Sequence, residues 1–430
     1  MELQNKKVDA SPTKGFFIYM LTRDIDLKPA IVELIDNSID GAKRVRRKSQ
    51  YEGLFIRITM SKEKFIIEDN CGGIDIDTAQ NYAFKFGRAP ERKRKEEGFF
   101  TGIFGIGMKR ALFKMGNKFE IVSKTYDEHF ILKVDVAQWM REKDWDFQFD
   151  KAENGLQNTE VGTCITVENL NEEISLKFDN ELFINSLIDY VQKYRTVEAE
   201  NGLQIEINGT TIDYRKEKLL ESKDIQTYTH KIEDPEGTIT IIAGITEKGE
   251  PAKAGWYIYC NGRLVLYADK TSLSGWGDGS RSYHNSLAEF RGYVYFESKN
   301  LLALPWNTTK TGVDTSNRLY ILAKQKMVEA MSQIFKKIDE MKRKYDVTDL
   351  CELEFIKKAQ ERELTYSNVA QINQNRDFAI SEVQKSEPMT TISFSKPTRE
   401  VDKVKKNMGE KTNKAVGIKL FDYYCEMEEL

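Results

Sequence analysis

The sequence predicts an α+β protein of two or three domains. Length is one reason, because 430 residues are too many for a single core at about 150 residues per domain. Order is the other: short β-rich runs and amphipathic helical stretches follow one another without the strict alternation of a parallel sheet. Composition sets the outer bounds. With 40% hydrophobic and 31% charged residues the chain can fill a core, and 65 basic against 68 acidic residues leave −3, so no global field advertises a polyanionic partner. Any nucleic-acid contact has to be local. The longest apolar run, Phe16 to Leu21, falls far short of the roughly 20 residues that span a membrane. The polar opening MELQNKKVDASPTKG lacks the apolar stretch of an export signal, so an intracellular protein is expected, cytoplasmic or, in a eukaryote, nuclear. Cys71, Cys164, Cys260, Cys351 and Cys425 lie far apart with only three histidines beside them, which argues against a zinc cluster or a disulfide framework.

Taken in order, Pro29 to Ser49 reads as a helix, with Pro29 in its first turn and Ile31, Leu34, Ile35, Ile39, Ala42 and Val45 along one face. Glu33, Asp36, Asn37, Asp40 and Arg44 fall on the other face. A hairpin follows, Leu54 to Met60 and Phe65 to Glu68, ending in Asp69-Asn70-Cys71-Gly72-Gly73. Thr78 to Phe86 reads as helix and the charged run from Arg88 as a mobile loop. Gly102, Gly105 and Gly107 then open a helix to about Met115, with strands expected at Lys118 to Ser123, Phe130 to Val134 and Thr163 to Glu168. A second unit is expected from about Lys177: a helix to Tyr194, strands at Leu203 to Ile207, Thr238 to Ile245, Trp256 to Cys260 and Tyr293 to Phe296, and closing helices from Arg318 to Tyr345 and Asp349 to Gln360. Beyond Ser381, residues 396–415 are rich in Lys and Arg and hold no aromatic, which reads as a flexible basic linker before a terminal helix from Val416.

Several of these residues have the chemistry for a nucleotide site, each beside a plainer reading. Glu33 is an adequate proton acceptor for water and Asn37 offers a neutral oxygen to hydrated Mg²⁺, with Asp40 a turn further on to orient them; the alternative is a solvated helix face. Asp69, followed by Gly72-Gly73, offers a fixed acceptor for an exocyclic amine beside a backbone a flat ligand can approach, or else an Asx-turn. Glycines at 102, 105 and 107 leading into a helix bring backbone N–H groups to one spot, as a phosphate cradle does, or merely relieve a tight turn. Neither GxxxxGK[ST] nor GxGxxG is satisfied. The basic run Arg44, Arg46, Arg47 and Lys48 is read as a solvated helix end.

In order along the chain, IVELIDNSIDGA, EDNCGGI, TGIFGIGM and VGTCITV resemble the four motifs of the GHKL superfamily of ATPases, which groups gyrase, heat-shock chaperones, histidine kinases, MutL and MORC proteins. The resemblance implies ATP and Mg²⁺ on a Bergerat-type α/β sandwich. It assigns Glu33 as the base activating water, Asn37 as the Mg²⁺ ligand, Asp69 as the adenine-amine acceptor, Gly73 to the adenine-pocket turn, Gly102, Gly105 and Gly107 to the phosphate loop, and Thr163 as a support, with Arg88 to Lys95 where the family has its lid. Cys71 stands where many relatives have glycine. The presence of Glu33 resembles the hydrolysing branch rather than the histidine kinases. YIYCNGRLV and LPWNTTKTGVD resemble the transducer domain of MORC- and MutL-like ATPases, which implies Lys310 as the lysine reaching the terminal phosphate; Lys109 is a weaker phosphate candidate.

The expected organisation is then a GHKL domain over 1–175, a transducer-like α/β domain of ribosomal-protein-like fold over 176–345, a helical extension over 346–384, a basic linker over 385–415 and a terminal helix over 416–430. The implied function is a Mg²⁺-dependent ATPase that dimerises on ATP and clamps DNA or a DNA-associated complex, in repair, restriction or phage defence. The alternatives are an interaction module with negligible turnover that recruits a separate effector protein, and a chaperone-like ATPase acting on protein clients.

Overall fold

The computed structural model describes residues 12–23, 25–46, 50–86, 106–194, 198, 200–213, 218–307, 309–364, 368–369, 371–381 and 392–428. The chain divides into two units, residues 1–382 and 383–430. The α+β expectation holds.

Helix α1 (Lys14–Arg23) leads into α2 (Leu27–Val45). Helix α2 starts two residues before Pro29, which costs nothing because the missing N–H is one of the first-turn donors that lack an intrahelical acceptor. Its apolar face is sequestered: Ile31, Leu34, Ile35 and Ile39 are buried to within 1%, each contributing about 1.5–3 kcal/mol. The hairpin β1 (Phe55–Met60) and β2 (Lys64–Asp69) follows, then a helical turn α3 (Ile76–Thr78) that continues as a π-helix over Ala79–Ala83, ending three residues short of the predicted Phe86. Helix α4 (Gly107–Met115), strands β3 (Gly116–Lys124) and β4 (Glu128–Asp135), α5 (Val136–Arg141), β5 (Phe149–Asn154), β6 (Gly162–Leu170), α6 (Glu172–Phe178), α7 (Glu181–Tyr194), β7 (Gln204–Ile207) and β8 (Thr210–Thr211) complete the layer.

These strands form one eight-stranded sheet in the order β5-β4-β3-β6-β2-β1-β7-β8. Strand β7 corrects the expected domain boundary. It pairs parallel to β1, with Phe55 opposite Gln204 and Ile58 opposite Ile207. Leu187 and Val191 of α7, with Ile205, Ile207 and Ile212, share the core of the first sheet. The first layer therefore extends to about residue 212, not 175. Periodicity marks β7 as a strand but does not say which strand it joins.

The second sheet has the order β11-β12-β15-β13-β14, from β11 (Tyr228–Asp234), β12 (Gly237–Ile245), β13 (Gly255–Cys260), β14 (Arg263–Asp269) and β15 (Phe290–Glu297). Helix α8 (Arg318–Tyr345) covers one face with Leu319, Ala323, Met327, Ala330, Met331, Ile334 and Ile338, after Asn317 caps it by accepting the Leu319 and Tyr320 N–H groups. Tyr257, Tyr259, Tyr293 and Tyr295 lie in a separate cluster with Val369 and Ile372. Cover on both faces explains why β13 is buried at every position.

The expected helical extension over 346–384 is helical only at the turn Leu350–Glu352 and at α9 (Glu354–Lys357). It then runs extended. Strand β16 (Gln360–Glu363) pairs with β9 (Lys218–Glu221), and β17 (Ala379–Ile380) with β10 (Ile225–Gln226). In the second unit, α10 (Thr398–Met408) replaces part of the predicted flexible linker, and α11 (Asn413–Met427) starts before Val416. Val401, Val404 and Met408 give α10 a helical stripe within the basic composition, and Gly409 ends it at φ +69. Among the described residues no helix is long and apolar enough to cross a membrane.

Candidate functional site

Two carboxylates on α2 define the site. Glu33 is 6% and Asp36 1% exposed, Asp40 is buried as well, and Asn37 is exposed one turn beyond Glu33. A solvated helix face therefore describes Asn37 but not the three acids. Helix α4 begins against Glu33: a Cβ on Gly107 would lie 2.1 Å from Glu33 Oε2. Only glycine lets the first N–H groups of α4 come this close to the carboxylate. Gly107→Ala should therefore displace Glu33 and destabilise the fold by about 1–3 kcal/mol, as a thermal melt will show.

The charge of these acids is answered by a lysine on the loop after β15 and an arginine on β14. Lys310 Nζ lies 3.2 Å from Glu33 Oε1 and 3.3 Å from Oε2, and 3.7 Å from Asp36 Oδ2. Arg263, at the start of β14, sets the same guanidinium nitrogen against Glu33 Oε1 at 3.4 Å and against Asp36 Oδ2 in a shorter contact. Both cations are almost fully buried. Burial pushes the Glu33 carboxyl up, but Lys310, then Arg263, then Arg110 outweigh it and hold its pKa below the ordinary glutamate value. Burial pulls Lys310 down against the pull of Glu33, and Arg263 adds to that fall. Glu33 is an anion whose lone pairs are engaged by cations.

The other end of the site is Asp69, at the end of β2. Ser38 Oγ donates to its Oδ2 at 2.6 Å, while Cys71 N and Thr163 N donate to Oδ1 at 2.9 and 3.3 Å. The Asx-turn reading is thus realised through Cys71, and the same carboxylate also ties β2 to β6 and α2. Burial raises the Asp69 pKa against those three hydrogen bonds, which favour the anion. Ser38 is five residues beyond Glu33, about 7.5 Å along the helix, so one element spaces the two carboxylates.

Glycine is required around Asp69 by close backbone. A Cβ on Gly73, at φ +73, would meet the Lys124 carbonyl oxygen at 2.2 Å, and one on Gly162, at φ +149, would meet the Asp69 carbonyl oxygen at 1.9 Å. Cys71 is tolerated because Gly41 makes room: a Cβ there would meet Cys71 O at 2.6 Å. Its thiol is buried and pushed well above the ordinary range by burial.

Of the predicted residues, the structure brings Glu33 to Gly107 and Lys310, and Asp69 to Thr163. Gly102, Gly105, the lid segment Arg88 to Lys95, Arg47 and Lys48 lie outside the described residues. Lys109, the weaker phosphate candidate, lies beneath the surface. Its side chain is 1% exposed, and Nζ donates to the Ala83 carbonyl at 2.7 Å and lies 5.6 Å from the Phe86 ring centre. The sequence places Asp36 on the polar face of the helix and Arg263 within YIYCNGRLV but assigns no site role to either or to Ser38; the signal for Arg263 is a lone cation between the turn Asn261-Gly262 and an apolar strand. No group of three or more His, Cys, Asp or Glu among the described residues could hold an ion alone. A Mg²⁺ ion taking one protein oxygen from the exposed Asn37 and the rest from phosphate and water fits this donor set.

No curated protein matches the chain. Residues 25–163 match the family model described as histidine kinase-, DNA gyrase B- and HSP90-like ATPase, a span that holds Glu33, Asn37, Asp69, Gly73, Gly107 and Thr163 and ends within β6. This segment, with Glu33 buried on α2 and Asp69 half-buried at the end of β2, is similar to GHKL-type ATPase domains.

Proposed function

We propose that the chain is an ATP-hydrolysing switch in which the second sheet reports on the terminal phosphate. The observation that supports this most is the meeting of Lys310 with Glu33 across 277 positions of sequence. Asp69 accepts from the adenine amine, and the α4 N-terminus at Gly107 faces the phosphates. A terminal phosphate competes with Glu33 for Lys310. Once Lys310 turns to it, Glu33 loses its strongest counter-charge and becomes a better base. Glu33 then takes a proton from water as the water oxygen attacks the terminal phosphorus and the bond to the bridging oxygen breaks, leaving ADP and phosphate. Asn37 would hold Mg²⁺, which when bound would supply charge neutralisation on the phosphate oxygens.

Transfer of Lys310 couples the nucleotide to the second sheet, which suits an ATP-dependent homodimer acting as a MORC- or MutL-like clamp on DNA, in repair, restriction or phage defence. Sedimentation of the full chain in ATP, ADP and a non-hydrolysable analogue tests this. Dimers in ATP and the analogue but not in ADP are expected; an unchanged monomer in all three contradicts the clamp. DNA binding that weakens with salt and is lost on removing residues 385–430 is expected of a DNA client, and its absence favours protein clients.

The Lys310–Glu33 pair also favours a second reading, a nucleotide-dependent interaction module with negligible turnover that recruits an effector protein, because a base held by two cations is a poor one. Lys310→Met separates the two. In a hydrolysing switch it lowers phosphate release by about 10²-fold through loss of charge on the transition state; in a module held off by this pair, release rises.

A further inference from the structure

Building on the hydrolysis reading, we infer that Arg263 is a positioning residue for that reaction: it fixes the Glu33 carboxylate from a rigid turn of the second sheet, using Asp36 as its anchor. The two cations on Glu33 differ in how they are held. Lys310 is a single ammonium on a loop residue at φ +53, whose own N–H is bonded to Asn307 O at 3.0 Å, and among the described residues it pairs with the Glu33 and Asp36 carboxylates of α2. Arg263 carries a planar fork that is pre-organised for carboxylates. One of its terminal nitrogens touches Glu33 and Asp36 together, so the guanidinium spans two acids that are three residues apart on one helix face and would otherwise repel.

The turn beneath Arg263 is clamped from both sides. Asn261, at φ +48, and Gly262, at φ +83, form the β13–β14 connection. Asn261 exchanges two side-chain bonds with Ser298, donating from Nδ2 to Ser298 O and accepting the Ser298 N–H at Oδ1, each at 2.9 Å, and its own N–H goes to Phe296 O at 2.8 Å. From the other side Lys43 of α2 reaches Asn261 O at 3.5 Å and pairs with the buried Glu198 at 3.4 Å. Helix α2 thus meets this turn at two stations, Glu33 with Asp36 and, a few residues on, Lys43. Arg263 sits where the second sheet meets the helix that carries Glu33. A phosphate that draws Lys310 away leaves Arg263 with its anchor, so Glu33 keeps its orientation when it is released to act.

The test is a cycle in the full chain: wild type, Arg263→Met, Glu33→Gln and the double variant, with ATP affinity measured by calorimetry and turnover by phosphate release. Arg263→Met should lower kcat about 10- to 100-fold while the ATP Kd moves less than threefold, and should have almost no further effect in the Glu33→Gln background. Arg263→Lys should recover part of the rate. Because Arg263→Met leaves Asp36 buried beside an apolar chain, Asp36→Leu with Arg263→Met replaces the pair as a whole; it should regain the thermal midpoint and not the rate. Equal fold losses with and without Glu33, a Kd that weakens as much as kcat falls, or full rate in the Asp36→Leu/Arg263→Met chain would overturn the inference while leaving hydrolysis intact. A wild type that releases no phosphate above Glu33→Gln overturns the hydrolysis reading itself, and this inference with it.

Discussion

Glu33→Gln is expected to cut phosphate release by about 10²–10⁴-fold, the range a positioned general base supplies, with ATP binding retained. Glutamine keeps the size of the side chain and its place against Gly107, but its amide cannot take a proton from water. The substitution also removes a buried anion facing Lys310 and Arg263. Since those cations hold each other's charge unbalanced without Glu33, the variant should be less stable without nucleotide and should gain more than the wild type from ATP, whose terminal phosphate restores a negative partner for Lys310. A melt series against ATP concentration checks this. The sign in pH follows from Glu33 as well. Its folded pKa is lowered, so its stabilising contribution is complete above the ordinary glutamate value and is lost as pH falls through the lowered one. The wild type should therefore lose stability in acid through a limb that Glu33→Gln lacks.

Asp69→Asn is expected to weaken ATP binding at least 100-fold while moving the thermal midpoint by no more than a few degrees. The asymmetry comes from what the carboxylate touches. Asparagine Oδ1 can still accept from Cys71 N and Thr163 N, and its amide can turn toward the Ser38 hydroxyl, so the internal bonds have replacements. Burial already works against the Asp69 anion, which further reduces the stability cost of neutralising it. In the proposed function asparagine cannot replace Asp69 as an anionic acceptor for the adenine amine, because it would present N–H to N–H there. Calorimetry of ATP binding beside a melt separates the two effects.

Much of this site was legible in the sequence because its parts are local. Glu33, Asn37 and the apolar face of α2 share one helical period, and Asp69 stands at the end of an evident strand before two glycines. Gly107 was legible as a glycine at a helix start, although its reason, the approach of Glu33, is a contact across 74 positions that no local pattern carries. Asp36 shows the limit. It falls on the same face as Glu33, yet its near-complete burial depends on Arg263, which arrives 227 positions later. Strand β7 fails in the same way: alternation marks a strand, but its parallel pairing with β1 crosses most of the first layer. The basic composition of residues 396–415 reads as a flexible linker, because net charge carries no period, whereas Val401, Val404 and Met408 supply the period that α10 uses.

The most direct test is a single turnover. With the full chain in excess over Mg²⁺-ATP, phosphate is followed in time for the wild type and for Glu33→Gln. If Glu33 is the base, the wild type converts the bound ATP to one phosphate per nucleotide and Glu33→Gln holds it unhydrolysed. Equal rates in the two chains, or no phosphate from wild type that has demonstrably bound ATP, would contradict it.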